Sequence, residues 1–332
     1  MNILFQLSTL QFAALSAPPS QAAYHSRLTR PRFGTINFLT LLNLTAPAQP
    51  PAPVSVASPA PPRVGFAGIF RVCHRAPRVL FFVTGCAVNL AFLALRHPTF
   101  AQRAACLQKW AARALPAAGI HPQVRGPRPK NGVIVCNHLS YIDILLIVAA
   151  TPTLFVSKKE VRTYPIVGQA AVLSGTIFID RNKSVSRQDV ATEMDETLRA
   201  GTCLTFFPEG TTTDGSTLLR FRAALFAAPV RLQQPINPAA IRYVLPEGGD
   251  PGQLVCYWGD MRLLLHSLRL LTLPRVDAHL QFAEHPFIPT ETVNSVDARN
   301  VANEARNRVQ QLREELGAPP LPEGDPPTSF PA

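Results

Sequence analysis

Apolar and polar positions alternate along this chain in blocks that predict a succession of strands and helices. The run 133–137 is short, apolar and β-branched, as a buried strand requires, and 142–150 continues as a helix. Further strands are predicted at 153–157, 176–180 and 203–207, then near 239–244, 253–258 and 278–283. Helices are predicted at 186–199 and near 219–226, 261–271 and 298–316, with a turn region at 165–168. Strands alternating with helices give an α/β fold: a largely parallel mixed sheet flanked by helices on both faces.

The N-terminal third carries a different pattern. Residues 79–95 are apolar except at Thr84, Gly85 and Asn89. As a helix they would span about 26 Å, a little short of a ~30 Å hydrocarbon core, which suits a re-entrant or one-leaflet helix. Arg71, Arg75 and Arg78 precede this stretch and Arg96 and Arg103 follow it, so the flanks show no inside-positive bias. Residues 100–115 interleave Arg103, Lys109 and Arg113 with Ala104, Leu107, Trp110, Ala111 and Ala114, the pattern of an interfacial helix with basic head-group contacts. The pair is expected to form an N-terminal membrane-associated helical hairpin; the competing reading makes both of them core helices of a soluble protein.

Charge sharpens this picture. Asp143 is the first acidic residue: fourteen Lys or Arg and no Asp or Glu precede it, while eighteen basic and twenty-one acidic residues make up the rest. The formal net charge of +11 is therefore N-terminal in origin. A basic arm of this kind suits nucleic acid or anionic lipid, and the apolar stretch, with no interleaved aromatics for base stacking, favours anionic membrane lipids and no nucleic acid. Residues 1–62 are rich in Pro, Ala and Ser and read as a disordered leader. Around Ala14-Leu15-Ser16-Ala17 they imitate a signal peptide, but no basic residue precedes the apolar part. The expected division is leader 1–62, hairpin 63–118, catalytic domain 119–316 and flexible tail 317–332. The six cysteines show no metal-binding spacing and read as reduced core thiols, Cys136 included; no metal and no cofactor is expected.

Chemistry concentrates in three segments. Asn137-His138 precedes Asp143 across the strand-to-helix junction, and a carboxylate on the first helical turn can fix one imidazole nitrogen while raising the basicity of the other. Of eight histidines only His138 has an aspartate five residues on, although His279 and Glu284 show how readily such spacing arises. The strand 176–180 delivers Arg181, and Phe206-Phe207-Pro208-Glu209-Gly210-Thr211 ends another strand in a carboxylate and a glycine turn. In an open α/β sheet, groups at carboxyl ends of strands gather in one crevice, so the three segments are expected to build one site.

In order and spacing these segments closely resemble the glycerolphosphate acyltransferase family, from about Arg71 to Glu284. The family's Asn-His with Asp five residues on, its arginine-terminated strand and its Phe-Pro-Glu-Gly are met by His138 and Asp143, by Arg181, and by Phe207 to Gly210. A looser fourth motif falls at Pro235 to Ile241, with Asn237 in place of an apolar residue. The resemblance implies an enzyme at the cytoplasmic face of the inner membrane. It would move an acyl group from acyl-CoA or acyl carrier protein to a lysolipid hydroxyl without an acyl-enzyme. The expected acceptor is 1-acylglycerol-3-phosphate, giving phosphatidic acid. The run 212–222 and Tyr257-Trp258-Gly259-Asp260-Met261 are also similar to lyso-ornithine lipid acyltransferases, which leaves that lipid as the alternative acceptor.

Within this frame His138 is the expected base and Asp143 its orienter. Arg181, helped by Lys158 or Lys159, would hold the acceptor's phosphate or the ornithine carboxylate, against a reading of Arg181 as a surface partner of Asp180 or Asp189. Glu209 would contact the acceptor's head, against a reading as a helix cap, and Thr211 would assist. The Gly210 amide is a candidate oxyanion donor. Ser140 is expected to cap the following helix rather than complete a Ser-His-Asp triad, since no Gly-x-Ser-x-Gly elbow is present. Two readings stand outside acyl transfer: a non-catalytic lipid-binding membrane protein, and a soluble thioesterase.

Overall fold

The computed structural model describes residues 65–164, 167–179, 184–289, 296–321 and 327–328. Two helices come first: α1 (Phe66–Ala94) and α2 (Phe100–Ala117). Then follow β1 (Ile120–Arg125), β2 (Val133–Cys136), α3 (Ile142–Ala150), β3 (Thr153–Lys158), a short 3-10 helix (Lys159–Thr163), α4 (Val167–Ser174), β4 (Ile177–Ile179), α5 (Ser184–Arg199) and β5 (Cys203–Phe206). A second 3-10 helix (Ala223–Phe226) leads into α6 (Ala227–Arg231), β6 (Ile236–Val244), α7 (Pro251–Leu254), α8 (Leu263–Thr272), β7 (Val276–Phe282) and α9 (Val296–Glu315).

The strands form one seven-stranded sheet in the order β1-β7-β6-β2-β5-β3-β4. Only the β6/β7 pair is antiparallel, so β1 and β7 run against the other five. β2 and β5 lie at the centre, and every residue of Val133–Cys136 and Cys203–Phe206 is buried. Covered on both faces, these strands need apolar side chains in both directions, which is why they read as unbroken apolar runs. One apolar layer packs α3 against the sheet with Leu146 and Ile147; the opposite layer is built from α5 and α9 through Met194, Leu198, Ala305 and Val309. From β2 the chain moves outward to β3 and β4, returns to insert β5 beside β2, then crosses to β6 on β2's other side. The carboxyl ends of β2 and β5 therefore flank a crevice at the point where chain direction across the sheet reverses.

Several elements differ from the sequence expectation. β1 was not legible because Ile120–Arg125 is a mostly exposed edge strand carrying Pro122, and an edge tolerates proline. The predicted strand 253–258 is instead the short helix α7 followed by a loop: Asp250 caps it by accepting the Gly252 N–H at 2.8 Å, and Pro251 occupies its first turn. Val255 and Cys256 are buried without pairing in the sheet. The helix expected from 219 begins only at Ala223, because the Arg222 N–H donates to the Pro208 carbonyl (2.9 Å) and holds 220–222 extended.

α1 extends over 29 residues and is long and apolar enough to cross a membrane. It packs on α2 through Trp110, which meets Phe81 and Phe82 edge-on. Gly85 permits this approach: a Cβ there would lie 2.5 Å from the Trp110 ring. Arg75 does not flank a membrane segment as a free charge. Its guanidinium donates to the carbonyls of Leu273 (2.5 Å) and Pro274 (2.8 Å), and Arg71 reaches the Thr272 carbonyl (3.2 Å), so both cap the C-terminus of α8. α2 is part of the core. Ala104 and Leu115 are buried, and so is Arg103, which therefore does not face head groups as its spacing suggested, while Lys109 and Arg113 remain exposed.

Candidate active site

His138 follows β2 by two residues, on the loop before α3. Its Nδ1 lies 2.8 Å from Asp143 Oδ2. The same oxygen accepts the Leu139 N–H (2.7 Å) and the Ser140 N–H (2.9 Å), and Oδ1 accepts the Tyr243 hydroxyl at 2.5 Å. Asp143 is 0% exposed and sits in the first turn of α3, where the helix dipole also favours negative charge. Four donors converge on this carboxylate, so the imidazole must present Nδ1–H to it. Nε2 meets no hydrogen-bond partner among the described residues, and the side chain keeps 18% exposure. Burial first, then Asp143, holds the Tyr243 phenol well above its ordinary pKa, so Tyr243 stays protonated and donates.

The imidazole stacks on Phe207, with ring centres 3.8 Å apart and planes within 9°. Phe207 directly follows β5, so the adjacency of β2 and β5 brings these two rings together. Asn137 locks the preceding residue to β6: its side-chain amide donates to the Ile241 carbonyl (3.0 Å) and its oxygen accepts the Ile241 N–H (2.8 Å).

Glu209 is brought to the same place, but its carboxylate faces the protein. It is 2% exposed, with Oε1 accepting the His138 N–H (2.8 Å) and Oε2 the Leu219 N–H (2.9 Å). Burial pushes its carboxyl up to about 7, against the lowering pull of those two amides and of Arg313. With the Thr213 N–H on the His138 carbonyl (3.0 Å), both backbone groups of His138 are held by the loop after β5. In this geometry Glu209 is a clasp on the His138 backbone. Gly210 adopts the expected positive φ (73°), and its amide closes the turn on the Phe207 carbonyl at 3.0 Å. Thr211 follows, half-buried.

Ser140 does not cap α3: its hydroxyl is buried without a hydrogen-bond partner among the described residues, and the Asp143 N–H donates to the Ser140 carbonyl (3.1 Å) rather than to its side chain. Lacking a bond to His138, Ser140 forms no triad. Cys136 is fully buried, and burial, with Asp143 and Glu209 nearby, raises its thiol well above the ordinary value, so it remains a protonated packing group. Lys158 is exposed at the carboxyl end of β3, opposite Ile179 in β4. Arg181 lies outside the described residues.

Tyr243 and the C-terminal arginines were not found by sequence reasoning. Tyr243 follows Asp143 by a hundred residues, and only the β2/β6 pairing connects them. Arg306 donates to the Leu218 (2.7 Å) and Leu219 (3.2 Å) carbonyls, and Arg313 to that of Gly215 (2.7 Å), so α9 grips the loop that carries Glu209. No short motif marks them.

A carboxylate-oriented imidazole with one open nitrogen, at the carboxyl edge of an α/β sheet, is an arrangement that can act as a general base. The family model described as Acyltransferase matches residues 120–242. A lyso-ornithine lipid O-acyltransferase of Pseudomonas aeruginosa is 36% identical over 202 residues, covering 60% of this chain and 75% of that protein. A 1-acyl-sn-glycerol-3-phosphate acyltransferase of Neisseria gonorrhoeae is 35% identical over 156 residues, 44% of this chain and 61% of that protein. Among solved structures, the LPA acyltransferase PlsC of Thermotoga maritima superposes with a TM-score of 0.55 at 21% identity, over 76% of this chain and 97% of that one, a likeness of fold. The chain belongs to the acyltransferase family and is an acyltransferase enzyme.

Proposed function

We propose that this enzyme is a membrane-associated lysolipid O-acyltransferase in which His138 Nε2 is the general base. The observation that carries this reading is the fourfold-anchored Asp143 beneath an imidazole whose second nitrogen is open. Nε2 accepts the proton of the acceptor's free hydroxyl as its oxygen attacks the thioester carbonyl carbon. Asp143 stabilises the imidazolium so formed. Collapse of the tetrahedral intermediate breaks the carbon–sulfur bond, and the leaving thiolate takes the proton back, giving an ester and a free thiol with no acyl-enzyme. Arg181 and Lys158 meet the acceptor's anionic group, and Thr211 lies where the loop after β5 borders the base.

Lyso-ornithine lipid is the favoured acceptor. Matches to proteins named for it run longest, and the 257–261 segment that resembles that branch packs against the catalytic motif: the Tyr257 N–H donates to the Leu139 carbonyl at 2.8 Å, and its ring meets Tyr141 edge-on. The second reading takes 1-acylglycerol-3-phosphate, the acceptor in the names of the two Neisseria relatives. Residues 63–118 serve as the membrane-facing hairpin and 119–316 as the catalytic domain, at the cytoplasmic face of the inner membrane. The exposed apolar side chains of α1, Phe70, Phe81 and Phe92 among them, support that attachment, as do Leu264, Leu265 and Leu268 on α8.

The test offers labelled acyl-CoA and acyl carrier protein to membranes containing the protein or its His138→Ala variant, with both lysolipids as competing acceptors. Diacyl product from one acceptor, abolished in the variant, is expected. Free fatty acid formed without acceptor would make the protein a thioesterase, and no turnover with either donor would leave a lipid-binding protein.

A further inference from the structure

A cavity of about 880 Å³ opens beside the loop that follows β5, between residues 220–223 and the first half of α9. Four arginines line it: Arg220 and Arg222 from the loop, Arg299 and Arg306 from the helix. Asn303 and Asn307 add two amides and Thr328 of the C-terminal tail a hydroxyl, and among the described residues no acidic side chain lines it. Arg220, Arg222 and Arg299 are exposed, and among the described residues none of the four forms an ion pair with a carboxylate. Glu304, next to Asn303 in sequence, is engaged by Arg308 at 2.6 Å. Gathering like charges around one concavity is unfavourable unless a polyanion fills it.

The cavity adjoins the loop after β5 through backbone hydrogen bonds. The Arg222 N–H donates to the Pro208 carbonyl, between Phe207, which stacks on His138, and Glu209, which holds the His138 amide. Arg306 holds the carbonyls of Leu218 and Leu219, and the Leu219 N–H in turn holds Glu209. Arg299 and Arg306 lie beyond the segment 120–242 that the family model matches, so this half of the cavity is supplied by the chain's own C-terminal helix.

We infer that this cavity binds the phosphorylated nucleotide end of a coenzyme A thioester, placing its diphosphate and ribose phosphate among Arg220, Arg222, Arg299 and Arg306. The inference rests on the acyl-transfer reading and selects its donor. Guanidinium forks match phosphate oxygens, and the two asparagines offer donors and acceptors for a base or ribose. The volume lies in the range of small-molecule sites, whereas an acidic carrier protein would meet its basic partners on an open face.

The experiment titrates adenosine 3′,5′-bisphosphate into the full-length detergent-solubilised protein by calorimetry and measures steady-state transfer from acyl-CoA. Wild type, Arg299→Gln, Arg220→Gln/Arg299→Gln and His138→Ala are compared. Binding is expected in wild type and retained in His138→Ala. It should weaken by roughly tenfold for each arginine removed, and the donor KM should rise in step while the lysolipid KM moves by less than about twofold. Equal binding by wild type and the double variant would overturn the inference, as would a change confined to the lysolipid KM, which would give the cavity to the acceptor's anionic group. Transfer from acyl carrier protein by a wild type that ignores the bisphosphate would also overturn it while leaving the acyltransferase reading intact. Loss of transfer in His138→Ala with bisphosphate still bound separates the base from the donor cavity.

Discussion

Replacing Asp143 with Asn separates the shape of the base's support from its charge. The Asn carbonyl oxygen must take the place of Oδ2, because three donors point there: His138 Nδ1–H and the amides of Leu139 and Ser140. The new NH₂ group then faces the Tyr243 hydroxyl, which can rotate from donor to acceptor. The opposite flip would set NH₂ against three donors. Asp143→Asn therefore keeps the imidazole tautomer and position and removes only the negative charge beneath the imidazolium. At an effective dielectric of about 20 and ~4 Å between charge centres, that interaction is worth about 4 kcal/mol, so kcat should fall by about three orders of magnitude. Single-turnover acyl transfer measures the chemical step, and thermal unfolding checks the fold, which should lose little. Adding Tyr243→Phe leaves the Asn NH₂ buried against a ring, and the double variant should lose a further 1–3 kcal/mol or so of stability. A kcat within about tenfold of wild type for a folded Asp143→Asn protein would refute charge stabilisation by Asp143.

Other substitutions follow from the same contacts. Glu209→Gln leaves one of two buried amides without an acceptor, costing about 1–3 kcal/mol, and should lower both melting temperature and kcat because it releases the His138 backbone. The folded Glu209 carboxyl titrates at about 7 against an ordinary 4.5, so folding takes up a proton there. That stabilisation is complete below about 4.5 and lost as pH rises through about 7, a slope absent from Glu209→Gln in pH-dependent denaturation. His266 has the opposite sign: burial lowers it from 6.5 to about 4, so its contribution is present above 6.5 and lost as pH falls through about 4, and His266→Gln should flatten that acid limb. Leu264→Asn/Leu265→Asn alters two side chains that are 56% and 58% exposed, so it should spare folding while reducing co-sedimentation with anionic vesicles by roughly tenfold; unchanged partitioning would remove α8 from the membrane contact.

The central strands and the His138–Asp143 pair were legible because local pattern and chemistry coincide there. β2 and β5 are buried on both faces, and the helix expected at 142–150 is α3. His138 and Asp143 are five residues apart, so one turn joins them. What sequence did not reveal depends on contacts between distant segments. Tyr243 reaches Asp143 through strand pairing, and Arg306 and Arg313 act from a helix that looks like any charged amphipathic one. Glu209 shows a subtler limit: its position in the motif was plain, but its partners are backbone amides, which carry no residue signature. Arg75 shows the converse, a charge that looked like a membrane flank and in fact caps α8.

That cap fixes how the proposed membrane surface relates to the chemistry. Arg75 ties α1 to the C-terminal end of α8, so the two helices that carry the exposed apolar side chains are held together. The same short helix carries exposed Leu264, Leu265 and Leu268 and also His266 and Ser267. His266 Nδ1 lies 3.2 Å from the Tyr141 hydroxyl, and Ser267 donates to that hydroxyl at 3.0 Å. Tyr141 is three residues from the base and its neighbour Ser140 donates to Asp143. A single helix, about 10 Å across, thus separates leucines available to a bilayer from the catalytic motif. On the proposed reading, a lysolipid head group need rise only about that far from the interface to present its hydroxyl to Nε2, and its acyl chain can remain in the bilayer while the ester forms.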